Sequence, residues 1–378
     1  MPGEMVVRNK VIAVLKKVFA SYGFSELATP TLEYAETLLG KYGAEAEKLM
    51  YIFKDNGDRQ VGLKYDLTVP LARVMAQYPQ TPKPFKRFAI QPVFRAENTQ
   101  KGRYREIYQC DVDTVGTSSP LADAEILAII SDSLTALGFN SFKIRVNSRK
   151  ILFGITDSLS ILQSLDKLDK KSEEEVRQEL ADKDVTAEKI EELFTKLRSS
   201  SPDANLQEII NLARKLGAKN IEFDPALVRG LDYYTGAIFE TVVTEPKIGS
   251  ITGGGRYDNL IKSLGGPDLP AVGTTVGLDR IVDVITELKL WPDLPTTETE
   301  YLVTVFSTET LDKSLEYADK LRREGKNVEV YPEVAKLDKQ LKYASTKGIP
   351  FVVIIGPEEI ASKTVKIKNM ATGEQQTV

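Results

Sequence analysis

Two stretches, residues 85–97 and 103–115, each mix aromatic with β-branched side chains and flank the polar run Asn98-Thr99-Gln100-Lys101-Gly102. Side chains of this kind suit a pleated surface better than a helix, so the pair reads as two antiparallel strands joined by a loop. Residues 121–137 return to helical periodicity, and residues 142–146 form another short strand pattern. The class that follows is α+β with a mainly antiparallel sheet.

The remainder of the chain extends this pattern. Apolar residues at Val7, Val11, Val14, Leu15, Val18 and Phe19 have the spacing of one buried helical face, and Gly23 ends that helix. Pro30 suits an extended segment at a sheet edge or an interface rather than a central strand. Asp55-Asn56-Gly57-Asp58 reads as a hairpin turn, because Asn-Gly readily adopts φ > 0. From about residue 151 to 219 the composition turns to Lys, Glu, Asp, Leu and Ala with heptad-like spacing, which predicts a helical insertion with a solvated charged face. Strand character resumes at 237–243 and again at 271–278, followed by a helix over 279–288. Trp291-Pro292-Asp293-Leu294-Pro295 reads as a linker. Beyond it, strands at 301–306, 327–330 and 351–355 alternate with helices at 310–323 and 335–346, the pattern of a compact α/β domain. The expected division is 1–150 and 221–290 for one domain, 151–220 for its insertion, 291–300 for the linker and 301–378 for the last domain.

Composition narrows the chemistry. Of 378 residues, 42% are hydrophobic and 28% charged, which is ordinary globular usage. No stretch approaches the roughly 20 apolar residues that cross a bilayer, and a soluble, cytoplasmic protein without membrane contact is expected. The lone Cys110 has no intramolecular disulfide partner, and with no histidine in the chain a zinc site or a Cys-His dyad is disfavoured. A net charge of −4 supplies no global attraction to nucleic acid. Without histidine, acid–base chemistry near neutral pH needs a shifted Asp, Glu, Lys or Cys, whereas arginine-based electrostatic catalysis needs no such shift.

Four segments carry candidate chemistry. Phe94-Arg95-Ala96-Glu97 places a guanidinium at a strand end, where it suits a phosphate, although an Arg and a Glu two apart also form structural pairs. Arg103 and Arg105 across the loop raise the local positive charge. Leu227-Val228-Arg229-Gly230-Leu231-Asp232-Tyr233-Tyr234-Thr235-Gly236 sets an arginine, an aspartate and two tyrosines before a strand; the tyrosines serve equally well as core residues. Gly253-Gly254-Gly255-Arg256-Tyr257-Asp258 permits close approach of backbone to a ligand, or is a plain turn, and lacks the spacing of dinucleotide or Walker-type loops. Gly277-Leu278-Asp279-Arg280 joins a strand to a helix and brings an arginine to that junction.

In this order and wording the segments resemble the histidyl-tRNA synthetase family over nearly the whole chain. Pro30 falls in what looks like class II motif 1, Phe94 through Arg103 resembles motif 2, and Gly277 to Arg280 resembles motif 3. The segments 227–236 and 253–258 look like the two histidine signatures of that family. The resemblance implies a class II catalytic domain on an antiparallel sheet and a C-terminal α/β anticodon-binding domain. It implies activation of L-histidine with ATP and Mg2+, transfer to tRNA(His), and a homodimer. Arg229 corresponds to the catalytic arginine; Arg95, Glu97, Arg103 and Arg280 to ATP-binding residues. Asp66, Thr68 and Gln109 correspond to the α-ammonium end of histidine, and Asp113, Tyr234 and Tyr257 to its imidazole side, with Tyr233 also among the histidine-binding residues. Asp66 and Asp113 are shorter than the Glu of many relatives. Lys336, Lys339, Lys342 and Lys347 would face tRNA phosphates, or simply solubilise a helix. A different reading is a non-catalytic histidine-binding paralogue, such as a regulatory subunit of ATP phosphoribosyltransferase.

Overall fold

The computed structural model describes residues 1–42, 44–99, 104–169, 171–229, 233–292 and 294–378. It divides into two units, residues 11–290 and residues 291–378 with 1–10. The class is α+β, as the sequence patterns imply.

The larger unit is organised by an eight-stranded sheet in the order Ser25–Glu26, Phe85–Phe94, Glu106–Val115, Ala271–Gly277, Thr252–Arg256, Ala237–Val243, Phe142–Ser148, Ile221–Phe223. Neighbours run antiparallel except at the two ends, where the short outer strands pair in parallel. Phe85–Phe94 and Glu106–Val115 pair along their whole length, from Phe85 opposite Val115 to Phe94 opposite Glu106. Alternation along the second strand sends Cys110 and Val112 into the core, and Gln109, Asp111 and Asp113 to the other face. The helix Pro120–Ala136 lies against Glu106–Val115, Ala271–Gly277 and Thr252–Arg256, burying Ile126, Leu127, Ile130 and Leu134 completely. Burial of such side chains stabilises by about 1.5–3 kcal/mol each before entropy is counted. Cys110 is a small core residue with no disulfide.

Two local expectations change. The glycine run is no turn: Thr252–Arg256 is a fully buried strand inside the sheet. Glycines are tolerated there because a side chain at Gly254 would collide with the Gly273 carbonyl and the Thr274 backbone. In the hairpin between Ile52–Lys54 and Gln60–Leu63, positive φ falls on Asp58 (58°), not on the Asn-Gly pair. Asp55 Oδ1 accepts from the amides of Gly57 at 2.8 Å and Arg59 at 3.0 Å, so the side chain sets the turn and shifts the left-handed position by one residue.

These two strands and Leu32–Tyr34 form a second, three-stranded sheet, with Pro30 just before its edge strand. Between Phe142–Ser148 and Ile221–Phe223 the chain is helical, with Glu173–Ala181, Ala187–Ser199 and Ala204–Lys215 its longer members. Val176, Leu180, Ile190, Leu193, Phe194 and Leu197 form its buried stripe. Its charged faces are laced by pairs such as Arg177–Glu191 at 2.5 Å, and its last helix lies against Pro120–Ala136.

The smaller unit holds a five-stranded sheet in the order Val328–Val330, Tyr301–Val303, Phe351–Ile354, Lys366–Asn369, Gln375–Thr377. The first three strands are parallel and the last two add antiparallel. Thr308–Arg323 and Leu337–Lys347 are its longer helices, and Leu302, Val303, Ala318, Ala344, Val352 and Val353 its core. No helix among the described residues is long and apolar enough to cross a membrane.

Candidate active site

The face of the large sheet opposite the helix Pro120–Ala136 forms the floor of a cavity of about 510 Å3 in the larger unit. Its floor can be read from strand register. One row across the sheet runs Arg87, Asp113, Gly273, Gly255. The next runs Ala89, Asp111, Thr275, Gly253, Glu240. A third pairs Gln91, Gln109 and Gly277. Acids and an amide therefore come from one strand while glycines on the adjoining strands keep the space above them open.

At one end, Asp113 is held from two sides. The buried Arg87 forms an ion pair with its Oδ2 at 3.0 Å, and Tyr257 donates its hydroxyl to Oδ1 at 2.5 Å. Burial raises the Asp113 carboxyl above the usual carboxylate range, against the pull of Arg87 and Tyr257. A β-carbon at Gly273 would overlap Oδ1 of Asp113, so that glycine is required by the acid opposite it.

Asp66 sits where Leu67 leads into the helix Thr68–Gln77, and its placement follows from that junction. Its Oδ1 accepts from the Thr68 amide at 3.1 Å and the Val69 amide at 3.0 Å, satisfying first-turn groups that have no partner in the helix. Tyr42 donates to the same oxygen at 2.8 Å, and Tyr233 to Oδ2 at 3.2 Å. Around it Tyr42, Tyr65, Tyr233, Tyr234 and Tyr257 pack ring to ring, with centroids 4.8 to 6.2 Å apart. Burial pushes the hydroxyls of Tyr42, Tyr233 and Tyr257 far up, so they remain donors at any working pH.

Three arginines line the same cavity. Arg95 lies over the Tyr65 ring at 4.5 Å and donates Nε to the Tyr65 carbonyl at 3.1 Å. Arg280, in the first turn of the helix Leu278–Glu287, donates to the Ser250 carbonyl at 2.5 Å. Arg229 lies over Gly253, 3.6 Å from Glu240, which is the cross-strand partner of Gly253. Fixed guanidinium groups in a partly dry cleft are suited to phosphate oxygens and to charge developing on them.

Of the residues expected from sequence, Asp66, Thr68, Arg95, Glu97, Gln109, Asp113, Arg229, Tyr233, Tyr234, Tyr257 and Arg280 all line this one cavity. Arg103 and residues 230–232 lie outside the described residues. Sequence reasoning did not single out Arg87, Tyr42, Asp111 or Thr275. Arg87 had a signal, a charge alternating with apolar positions inside a long strand. Tyr42 stands in a segment without periodicity, and only the fold brings it to Asp66.

The family model for histidyl-tRNA synthetase matches residues 1–281, and that for an anticodon binding domain matches residues 300–378. The chain belongs to the histidyl-tRNA synthetase family. A histidine–tRNA ligase of Aeropyrum pernix is 41% identical over 409 residues, covering 100% of this chain and 93% of that protein. One of Cytophaga hutchinsonii is 38% identical over 426 residues, covering 99% and 94%. The crystal structure of histidyl-tRNA synthetase from Nostoc sp. PCC 7120 superposes with a TM-score of 0.84 at 29% identity, covering 100% of this chain and 94% of that one. A histidyl-tRNA synthetase fold therefore frames the cavity, and its C-terminal unit is an anticodon-binding domain.

Proposed function

We infer that the chain is a histidine–tRNA ligase, which activates L-histidine with ATP and transfers it to tRNA(His). The observation that carries the reading is a single cavity lined at once by Arg95, Arg229 and Arg280 and by the Asp113–Tyr257 pair. In this reading histidine lies along the sheet face with its imidazole at Asp113, Tyr257 and Tyr234. Both ring nitrogens then find fixed polar partners, and a Phe or Leu side chain would leave those groups unpaired. The α-ammonium faces Asp66, Thr68 and Gln109, with Tyr233 closing that end.

Arg95 grips the α-phosphate, Arg280 meets the γ-phosphate, and Glu97 serves the adenine end, with Arg103 assigned to the phosphates from sequence alone. Mg2+ enters as part of the nucleotide substrate. The histidine carboxylate attacks the α-phosphorus, the bond to the bridging oxygen breaks, and pyrophosphate leaves with that electron pair. Arg229 stabilises the charge on the α-phosphoryl oxygens, so no side-chain base is required. In the second step the terminal ribose hydroxyl of tRNA attacks the acyl carbon of the adenylate and releases AMP.

Domain limits near 151–220 for the insertion and 291–300 for the linker are part of this reading, as is function in the cytoplasm. So is a homodimer: Leu32 and Tyr34 on the edge strand of the small sheet are each 51% exposed, and Phe53 nearby is 44% exposed. Such an apolar face suits coverage by a second copy. A structural neighbour that bears on the regulatory-subunit reading is an ATP phosphoribosyltransferase regulatory subunit/histidyl-tRNA synthetase from Bacillus halodurans, alike in fold at 20% identity and a TM-score of 0.72. The three arginines and the anticodon-binding domain favour the ligase. Histidine-dependent ATP–pyrophosphate exchange tests it; exchange that is absent, or equal with other amino acids, removes the assignment.

A further inference from the structure

The segment 224–229, which ends on Arg229, lies in neither a helix nor a strand, so its backbone must be fixed from outside. The strand Phe142–Ser148 does this with one face. Alternation along it turns Ile144 and Val146 into the core and Arg145 and Asn147 the other way. Arg149, the next residue in that spacing, opens the short helix Arg149–Ile155. The three side chains meet the segment in order. Arg145 forms an ion pair with Asp224 at 2.5 Å. Asn147 donates Nδ2 to the carbonyls of Pro225 and Leu227, both at 3.0 Å. Arg149 donates Nη2 to the carbonyl of Arg229 itself, also at 3.0 Å.

These contacts are enclosed and the donors are themselves held. Asn147 is fully buried and Arg149 is 4% exposed. Oδ1 of Asn147 accepts from the Ser148 amide at 2.8 Å. The Arg149 amide donates to the Gly236 carbonyl at 2.9 Å, which carries the pairing with Ala237–Val243 one residue past the strand end. Arg229 is thereby tied at both ends: its main chain to Arg149, and its guanidinium, over Gly253, 3.6 Å from Glu240. A long, flexible side chain lies between those ties, so a shift at the near end is carried to the charged end. A fixed charge aids a transition state only when it is already in place as charge develops.

We propose that Arg149 and Asn147 are positioning residues for the activation step, holding the backbone of residues 225–229 so that Arg229 meets the α-phosphoryl oxygens. The proposal rests on the ligase reading, with Arg229 as its catalytic arginine. Neither Arg149 nor Asn147 lines the cavity, and their effect on the chemistry passes through Arg229.

The test separates placement of Arg229 from stability of the fold. Single-turnover adenylate formation and ATP–pyrophosphate exchange read the rate, exchange gives the histidine KM, and calorimetry gives the histidine Kd without turnover. Arg149→Met keeps apolar bulk and removes the donors. It is expected to lower kcat by about 10²-fold, the cost of a misplacement of roughly 1 Å, with histidine KM and Kd moved by less than about twofold. Arg149→Lys keeps a cation and a donor but not the planar fork, and is expected to recover about tenfold of that loss. Asn147→Ser is expected to show the same pattern with a smaller fall. Added to Arg229→Ala, Arg149→Met is expected to cost nothing more, since both act through one group.

Wild-type kcat in a folded Arg149→Met enzyme, losses that multiply in the double variant, or a histidine Kd that rises in step with the lost rate would overturn the proposal, the last by marking a purely structural role. Should Arg149→Met not fold, Arg149→Lys decides on the same readouts: a lower kcat at unchanged Kd is expected, and wild-type kcat overturns the proposal. Absence of exchange in the unaltered protein would refute the ligase reading and this proposal with it, whereas exchange there leaves that reading standing whatever the variants do.

Discussion

Gly253 faces the Arg229 guanidinium, and adding one methyl there separates placement of that group from its presence. A β-carbon at Gly253 would lie 2.5 Å from Nη2, 2.6 Å from Nη1 and 2.7 Å from Cζ of Arg229, where ordinary contact begins at 3.4 Å. The guanidinium must withdraw by about 1 Å. The atoms displaced are the far end of a long side chain, and Gly253 does not have positive φ, so Gly253→Ala should leave Tm nearly unchanged. Catalysis has less tolerance. A 1 Å misplacement costs on the order of 10²-fold, and loss of one fixed donor to a developing oxyanion about 10²–10³ in kcat. The expected outcome in ATP–pyrophosphate exchange is a fall in kcat of about 10²-fold, with histidine KM moved little because the proposed imidazole end is at Asp113. Arg229→Ala should nearly abolish exchange, and the double variant Gly253→Ala/Arg229→Ala should lose no more than Arg229→Ala alone, since both act through one group. Gly154→Ala, where a β-carbon meets nothing within 4 Å, is the control and should keep full activity. A folded Gly253→Ala enzyme with wild-type kcat, or losses that multiply in the double variant, would refute the placement of Arg229.

Three further outcomes follow from particular contacts. Arg256 pairs with the fully buried Asp123, and Arg256→Ala would leave that carboxylate enclosed and uncompensated; urea denaturation should show a loss of roughly 3–5 kcal/mol. Lys167 and Lys171 hold the Glu179 carboxyl down to about 2, so its contribution is fully present above the usual carboxylate range and fades as pH falls from about 4.5 towards 2. Glu179→Gln should lower Tm at pH 7, with the gap to wild type closing over that acid range. In the anticodon-binding unit Lys339 and Lys347 are paired with Glu333 and Glu329 at 2.5 Å, while Lys336 and Lys342 have no ion pair among the described residues. Lys336→Ala and Lys342→Ala should each weaken tRNA binding and reduce the slope of log K against log salt by about one, whereas Lys339→Ala should change it less.

Element types along much of the chain are legible because hydrophobic period reports them directly. The first helix shows it: Val11, Leu15 and Phe19 were expected on one face and are fully buried. The two long strands are legible for the same reason, since their apolar and β-branched content suits a pleat and little else. Thr252–Arg256 was not, because three glycines carry no apolar signal. Its strand state is imposed by neighbours on both sides, Ala237–Val243 and Ala271–Gly277, whose backbones it must pair with. The helix Thr68–Gln77 was also unannounced, with Pro70 in its first turn and Asp66 supplying from outside the acceptor that its first amides need.

For the site the division falls elsewhere. Arginines and tyrosines in glycine-flanked segments point to anionic and aromatic chemistry, but which acid meets which partner depends on strand register, which a linear string does not display. Gln109, Asp111 and Asp113 alternate along one strand face, so period alone places all three in the cavity without ranking them. The ranking comes from what stands opposite. Gly273 across from Asp113 leaves room for the Tyr257 hydroxyl to reach that carboxyl, and Arg87 on the other side neutralises it. Thr275 stands across from Asp111, and Ala89 on its other side brings no charge. Three consecutive inward side chains thus come to stand in different surroundings through neighbours more than 15 residues away in sequence.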